Sequence, residues 1–245
     1  MSFLNTNRGD SQEEYSHAPD GDKIFLNGDL ECYVSGDKNS KAAIVYIYDI
    51  FGNHSNAYEG ADIFARHGYR VIMPDFLRNN PVRVEMLGDW QRIKSRFETK
   101  ESYEMLESDF KAVKDYLVNV EGFDKVLLVG FCWGAKKAME LSEHDDFYLG
   151  GALFHPSFLT LEDFKGVQAP MIIQPSMHDP DFTEGFEIIS QKSFGDLCYI
   201  QVYDDMIHGF ASGRGDWSDS HVRVRTNEAF SNALRGFGRI LAEKS

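Results

Sequence analysis

Apolar residues along this chain fall into two alternating patterns, short unbroken runs and longer spaced stripes. Residues 42–48 read AAIVYIY, β-branched and aromatic with no polar alternation. That composition suits a strand buried on both faces of a parallel sheet. Residues 69–73, 125–129, 170–173 and 197–203 have the same character. Between them lie helical stripes. In residues 102–120, Tyr103, Leu106, Phe110, Val113, Leu117 and Val120 recur at intervals of three and four, and Ala229, Phe230, Ala233, Leu234, Phe237, Ile240 and Leu241 do the same near the end. Residues 23–26 and 30–34 flank Asn27-Gly28-Asp29, which predicts a β-hairpin. Strands alternating with helices imply an α/β fold, a mainly parallel central sheet with helices on both faces. The polar residues 1–22 are expected to form an N-terminal arm, and 23–245 one domain.

Composition narrows the function. Hydrophobic residues make up 42% of the 245 and aromatics 13%, enough for a sizeable core. The formal charge of −14 (25 basic against 39 acidic residues) repels phosphate backbones and anionic membranes, so neither nucleic acid nor membrane is an expected partner. A small anionic substrate stays compatible, because local arginines override the global field at short range. The three cysteines, Cys32, Cys132 and Cys198, are far apart and form no CxxC pair. A disulfide scaffold or a zinc site is therefore not expected, nor any metal or cofactor. The opening MSFLNTNRGDSQEEY lacks an apolar core of signal-peptide length, and no run reaches membrane-spanning length. These features predict a soluble, cytoplasmic protein, monomeric or homodimeric.

In a parallel sheet the active site forms beyond the carboxyl ends of the strands. After VLLVG comes Phe131-Cys132-Trp133-Gly134 and then a helix-forming run. Strand, G-x-C-x-G, helix is a nucleophile-elbow layout with cysteine in place of serine. Glycines are needed there because side chains beside the strained turn would collide with strand and helix. The next strand end carries Ser176-Met177-His178-Asp179, and the one after it Asp205-Met206-Ile207-His208-Gly209-Phe210. Alone, Asp179 is a turn residue before proline and His208 a loop histidine. Together with Cys132 they appear in the order nucleophile, acid, base, each just past a strand. His208 is then the expected base and Asp179 the group that orients it. The first buried strand ends in Asp49-Ile50-Phe51-Gly52, and the backbone N–H groups of Ile50 and Trp133 are the expected oxyanion donors.

With D-I-F-G, P-D-F, G-F-C-W-G, H-P, H-D-P and H-G-F in this order, the chain resembles the dienelactone hydrolase (carboxymethylenebutenolidase) family of α/β-hydrolases. The resemblance runs from about Lys23 to the C-terminal helix. It implies an α/β-hydrolase fold without a large lid domain. It also implies a Cys132-Asp179-His208 triad acting on a small ester or lactone, of a kind that can carry a carboxylate. Further, it implies a thiol-modulating role for Asp49, which is one methylene shorter than the glutamate of bacterial members. Arg78 and Arg214 stand near the places of the two arginines that hold the substrate carboxylate, Arg214 only after a small insertion. His155, in the H-P motif, is expected to be a satisfied core group. A thioesterase or general carboxylesterase, or a non-catalytic binding or regulatory protein on the same fold, stays open at this level.

Overall fold

The computed structural model describes residues 17–244. The predicted arm therefore lies outside the described residues, apart from positions 17–22. One sheet of eight strands organises the rest. In chain order they are β1 (Asp22–Leu26), β2 (Leu30–Ser35), β3 (Ala43–Ile47), β4 (Arg70–Pro74), β5 (Val126–Phe131), β6 (Tyr148–Phe154), β7 (Met171–Gln174) and β8 (Tyr199–Ile200). Their spatial order is β1-β2-β4-β3-β5-β6-β7-β8. Strand β2 pairs antiparallel with both β1 and β4, and every pair from β4 to β8 is parallel. The hairpin turns at Asn27 and Gly28, both at positive φ, which explains why N-G stands there.

Every residue of β3, β4, β5 and β7 is buried, as unbroken apolar runs require. Among the described residues, seven α-helices cover the sheet: α1 (Ser55–Arg66), α2 (Trp90–Thr99), α3 (Tyr103–Asp115), α4 (Trp133–His144), α5 (Leu161–Gly166), α6 (Thr183–Ser190) and α7 (Ser220–Glu243). Phe64 of α1 packs between Phe230 and Phe237 of α7, so these two helices share one layer. Helix α4 lies over β3, β5 and β6 and packs against α3 and α5.

Two elements depart from the pattern. The run 197–203 pairs only at Tyr199–Ile200, plus one bridge from Tyr203 to Ser176. It is the sheet edge, with one neighbour, and Tyr199 and Val202 are exposed. The stripe 102–120 is α-helical only to Asp115, and its last turn, Tyr116–Val120, widens into a π-turn. This turn leaves Val120 exposed and brings Tyr116 and Arg70 onto the Glu121 carboxylate.

Candidate active site

Strand β5 delivers Cys132 into a sharp turn before α4. Its φ of 53° and ψ of −114° are strained for a residue with a side chain, costing about 1–3 kcal/mol that the surrounding packing must offset. That packing tolerates only glycine on either side. A Cβ at Gly130 would stand 2.3 Å from the Gly134 carbonyl oxygen, and one at Gly134 would stand 2.2 Å from that of Ile47. Cys132 is buried, and its N–H donates to Phe154 O at the end of β6 (3.0 Å).

The loops after β7 and β8 bring in the other two groups. The Met177 N–H donates to Met206 O (2.9 Å) and ties the loops together. Asp179 Oδ2 accepts from the Ser176 N–H (2.7 Å) and hydroxyl (2.8 Å), and Oδ1 faces His208 Nδ1 at 2.5 Å. An ionised carboxylate only accepts, so the imidazole carries its proton on Nδ1 and turns Nε2 toward Cys132. Burial works against charge on both partners, yet the bonds to His208 and Ser176 hold Asp179 below its ordinary pKa. His208 is pushed up to about 10: burial opposes this, and the Asp179 carboxylate and the Cys132 sulfur outweigh it.

A fourth side chain at this point went unread in the sequence. Ser157, three residues past β6, has its Oγ 3.5 Å from Cys132 Sγ and 3.5 Å from His208 Nε2. Its only signal was its place just after H-P at a strand end. The expected oxyanion amides are those of Ile50, three residues past β3, and Trp133, directly after Cys132. Trp133 opens α4 and so has no intrahelical acceptor, and neither N–H donates to an acceptor among the described residues.

A family model described as the dienelactone hydrolase family matches residues 30–241. The chain belongs to the dienelactone hydrolase family. The chain is 28% identical over 205 residues to the human carboxymethylenebutenolidase homolog, covering 81% of this chain and 82% of that one. It is 27% identical over 242 residues to an AIM2 family protein of Schizosaccharomyces pombe, covering 96% and 98%. Among solved structures, one titled m3DLH shares the fold with a TM-score of 0.65 at 20% identity, over 87% of this chain and 96% of that one. Membership places this dienelactone hydrolase-family chain among ester and lactone hydrolases.

The family-derived expectations meet a mixed geometry. Asp49 is buried, but its carboxylate is taken up by the amides of Phe51 (2.8 Å) and Gly213 (2.9 Å), with His54 Nε2 at 3.5 Å. Burial would raise its pKa; His54 and the two amides hold it well below the usual carboxylate range. It fastens the 49–52 loop to the loop after His208. Arg78 grips Asp109 (2.9 Å) and Asp29 (3.2 Å), clamping α3 and the β1–β2 turn to the end of β4, so its guanidinium is already occupied. Arg214 differs: it is exposed, forms no ion pair among the described residues, and lies over Gly209 beside His208. His155 corrects the expectation of a satisfied core group. It is wholly buried at a φ of 34°, with neither ring nitrogen partnered among the described residues, 5.1 Å from the His208 ring. Burial first, and then His208, push it down to about 3, so it stays neutral.

Apolar side chains stand in the loops that carry the site: Met177 and Ile207, near Asp179 and His208, are exposed, and the exposed Trp90 stacks at 5.5 Å on Phe158, the neighbour of Ser157. Among the described residues, the group with metal-ligand spacing is His17, Asp20 and Asp62, where His17 Nε2 and the Asp20 N–H both meet Asp62 Oδ2 on α1. No helix among the described residues is long and apolar enough to cross a membrane.

Proposed function

We propose that this chain hydrolyses a small ester or lactone with Cys132 as nucleophile, His208 as base and Asp179 as the group that orients it. The observation that carries the reading is the continuous line from the buried Asp179 through His208 to the strained Cys132. His208 stands where it can take the thiol proton, and the thiolate so formed is the competent nucleophile.

Cys132 attacks the carbonyl carbon, and the oxyanion develops against the Ile50 and Trp133 amides, whose N–H groups have no acceptor among the described residues. His208 returns its proton to the leaving oxygen, giving a thioester acyl-enzyme. Water, deprotonated by His208, then releases the acid and restores the thiol. The exposed Met177, Ile207 and Trp90 suit a substrate with an apolar body. Arg214 supports a carboxylate at one end of it, held by one arginine because Arg78 is committed to Asp29 and Asp109.

Purified Cys132→Ala tests the assignment against a dienelactone, an aryl ester and a thioester. Hydrolysis should vanish on whichever the wild type turns over, and an activated ester should leave a decaying adduct on Cys132. Wild-type turnover by Cys132→Ala would overturn it. An adduct that never decays would favour a binding protein on the hydrolase fold.

A further inference from the structure

Resting on that reading of Cys132, we infer that Ser157 is a proton relay and positioning residue between the thiol and His208. Its hydroxyl sits 3.5 Å from the sulfur and 3.5 Å from Nε2, within reach of both. A hydroxyl has one donor hydrogen and two acceptor lone pairs, so it can serve a donor and an acceptor at once and then reverse.

In the uncharged thiol–imidazole form the Cys132 S–H points to Ser157 Oγ, and the Ser157 O–H points to the lone pair on His208 Nε2. On activation the S–H bond breaks, the sulfur keeps the electron pair, and an O–H bond forms at Ser157. The original Ser157 O–H bond breaks as an N–H bond forms at Nε2. Ser157 ends chemically unchanged, its hydroxyl now donating to the thiolate and accepting from the imidazolium. Nδ1 stays bonded to Asp179 throughout, which keeps Nε2 available as the acceptor.

The backbone is built to hold this hydroxyl in place. The Ser157 N–H donates to the Cys132 carbonyl oxygen (3.1 Å), so the two residues move together. His155 and Phe158 on either side both have positive φ, 34° and 63°, a conformation large side chains avoid unless the structure around them imposes it. The two contacts are long for a resting hydroxyl, and catalytic hydrogen bonds commonly tighten only when substrate is bound.

The test is the pH dependence of Cys132 alkylation by iodoacetamide on the full chain, followed by mass of the Cys132 peptide. Cys32 and Cys198, both buried, serve as internal controls. Ser157→Ala should alkylate about tenfold more slowly near neutral pH, the loss of one hydrogen bond to a charged sulfur, with its inflection moved upward. Ser157→Thr, which keeps the hydroxyl, should restore the profile. A Ser157→Ala profile that superimposes on wild type overturns the relay, while the nucleophile assignment stands or falls separately with Cys132→Ala. Should both serine variants misfold, the acylation rate of the wild type in mixtures of light and heavy water decides. A curved dependence, from two protons in flight, supports the relay, and a straight line overturns it.

Discussion

Replacing Asp179 by asparagine probes the orienting interaction with almost no change of shape. The Asp179 side chain is 3% exposed and receives three donors, the Ser176 N–H, the Ser176 hydroxyl and His208 Nδ1–H. A carboxylate accepts all three; an amide offers one accepting oxygen and an NH₂ that must face a donor. If the NH₂ faces His208, the imidazole has to carry its proton on Nε2 and can no longer act as base. If it faces Ser176, two donors meet a third. Loss of a buried charged partner should cost about 3–5 kcal/mol in stability, because a charge-assisted network is broken with one member left in place. The rate should fall by about 10²–10⁴, the usual worth of a correctly held general base. Burial opposes the raised His208 pKa of about 10 and the Asp179 and Cys132 contacts sustain it, so the variant's His208 should titrate much lower. Steady-state kinetics on the wild-type substrate, urea melts and NMR titration of the ring measure these three effects. An Asp179→Asn enzyme with wild-type kcat/KM and an unmoved His208 titration would refute the reasoning.

Gly134→Ala should cost about 1–3 kcal/mol or more, since the new methyl meets the backbone oxygens of Ile47 and Tyr48 rather than a yielding side chain; thermal unfolding measures it, and a stable, active variant would contradict the packing. Arg214→Ala should raise KM for carboxylate-bearing substrates and leave neutral esters alone. Arg78→Ala should instead lower stability by about 1–3 kcal/mol through the stranded Asp109, with little effect on KM for either class. His17 is raised from 6.5 to about 9: its partial burial opposes this, and Asp62 and Glu59 outweigh it. A raised folded pKa stabilises fully below the unfolded value and is lost as pH climbs through the folded one. Denaturant midpoints should therefore fall between about pH 6.5 and pH 9, and His17→Gln should flatten that slope.

The strands could be read directly because burial on both faces leaves unbroken apolar runs, and β3, β4, β5 and β7 carry no polar face to disguise them. The elbow was legible for a related reason: backbone lies 2.2–2.3 Å from where a Cβ would stand, so only glycine fits at Gly130 and Gly134. Chain order placed Asp179 and His208 after their strands. Where an apolar run meets the sheet edge, as at 197–203, the same pattern misleads, because composition cannot tell how many neighbours a strand will have.

What the amino-acid sequence determined by itself was therefore local: which segments extend, where the chain must turn, and which reactive side chain each turn presents. Tertiary structure alone decided who meets whom. Asp49 is held by Gly213, 164 positions away; Arg78 is claimed by Asp109; and Ser157 comes to lie between Cys132 and His208. Such pairings span loops whose ends are brought together by the whole sheet, so no window of neighbouring residues carries their signature. His155 shows the same limit from the other side: its burial followed from its strand, but only the packing around it left both nitrogens without a partner.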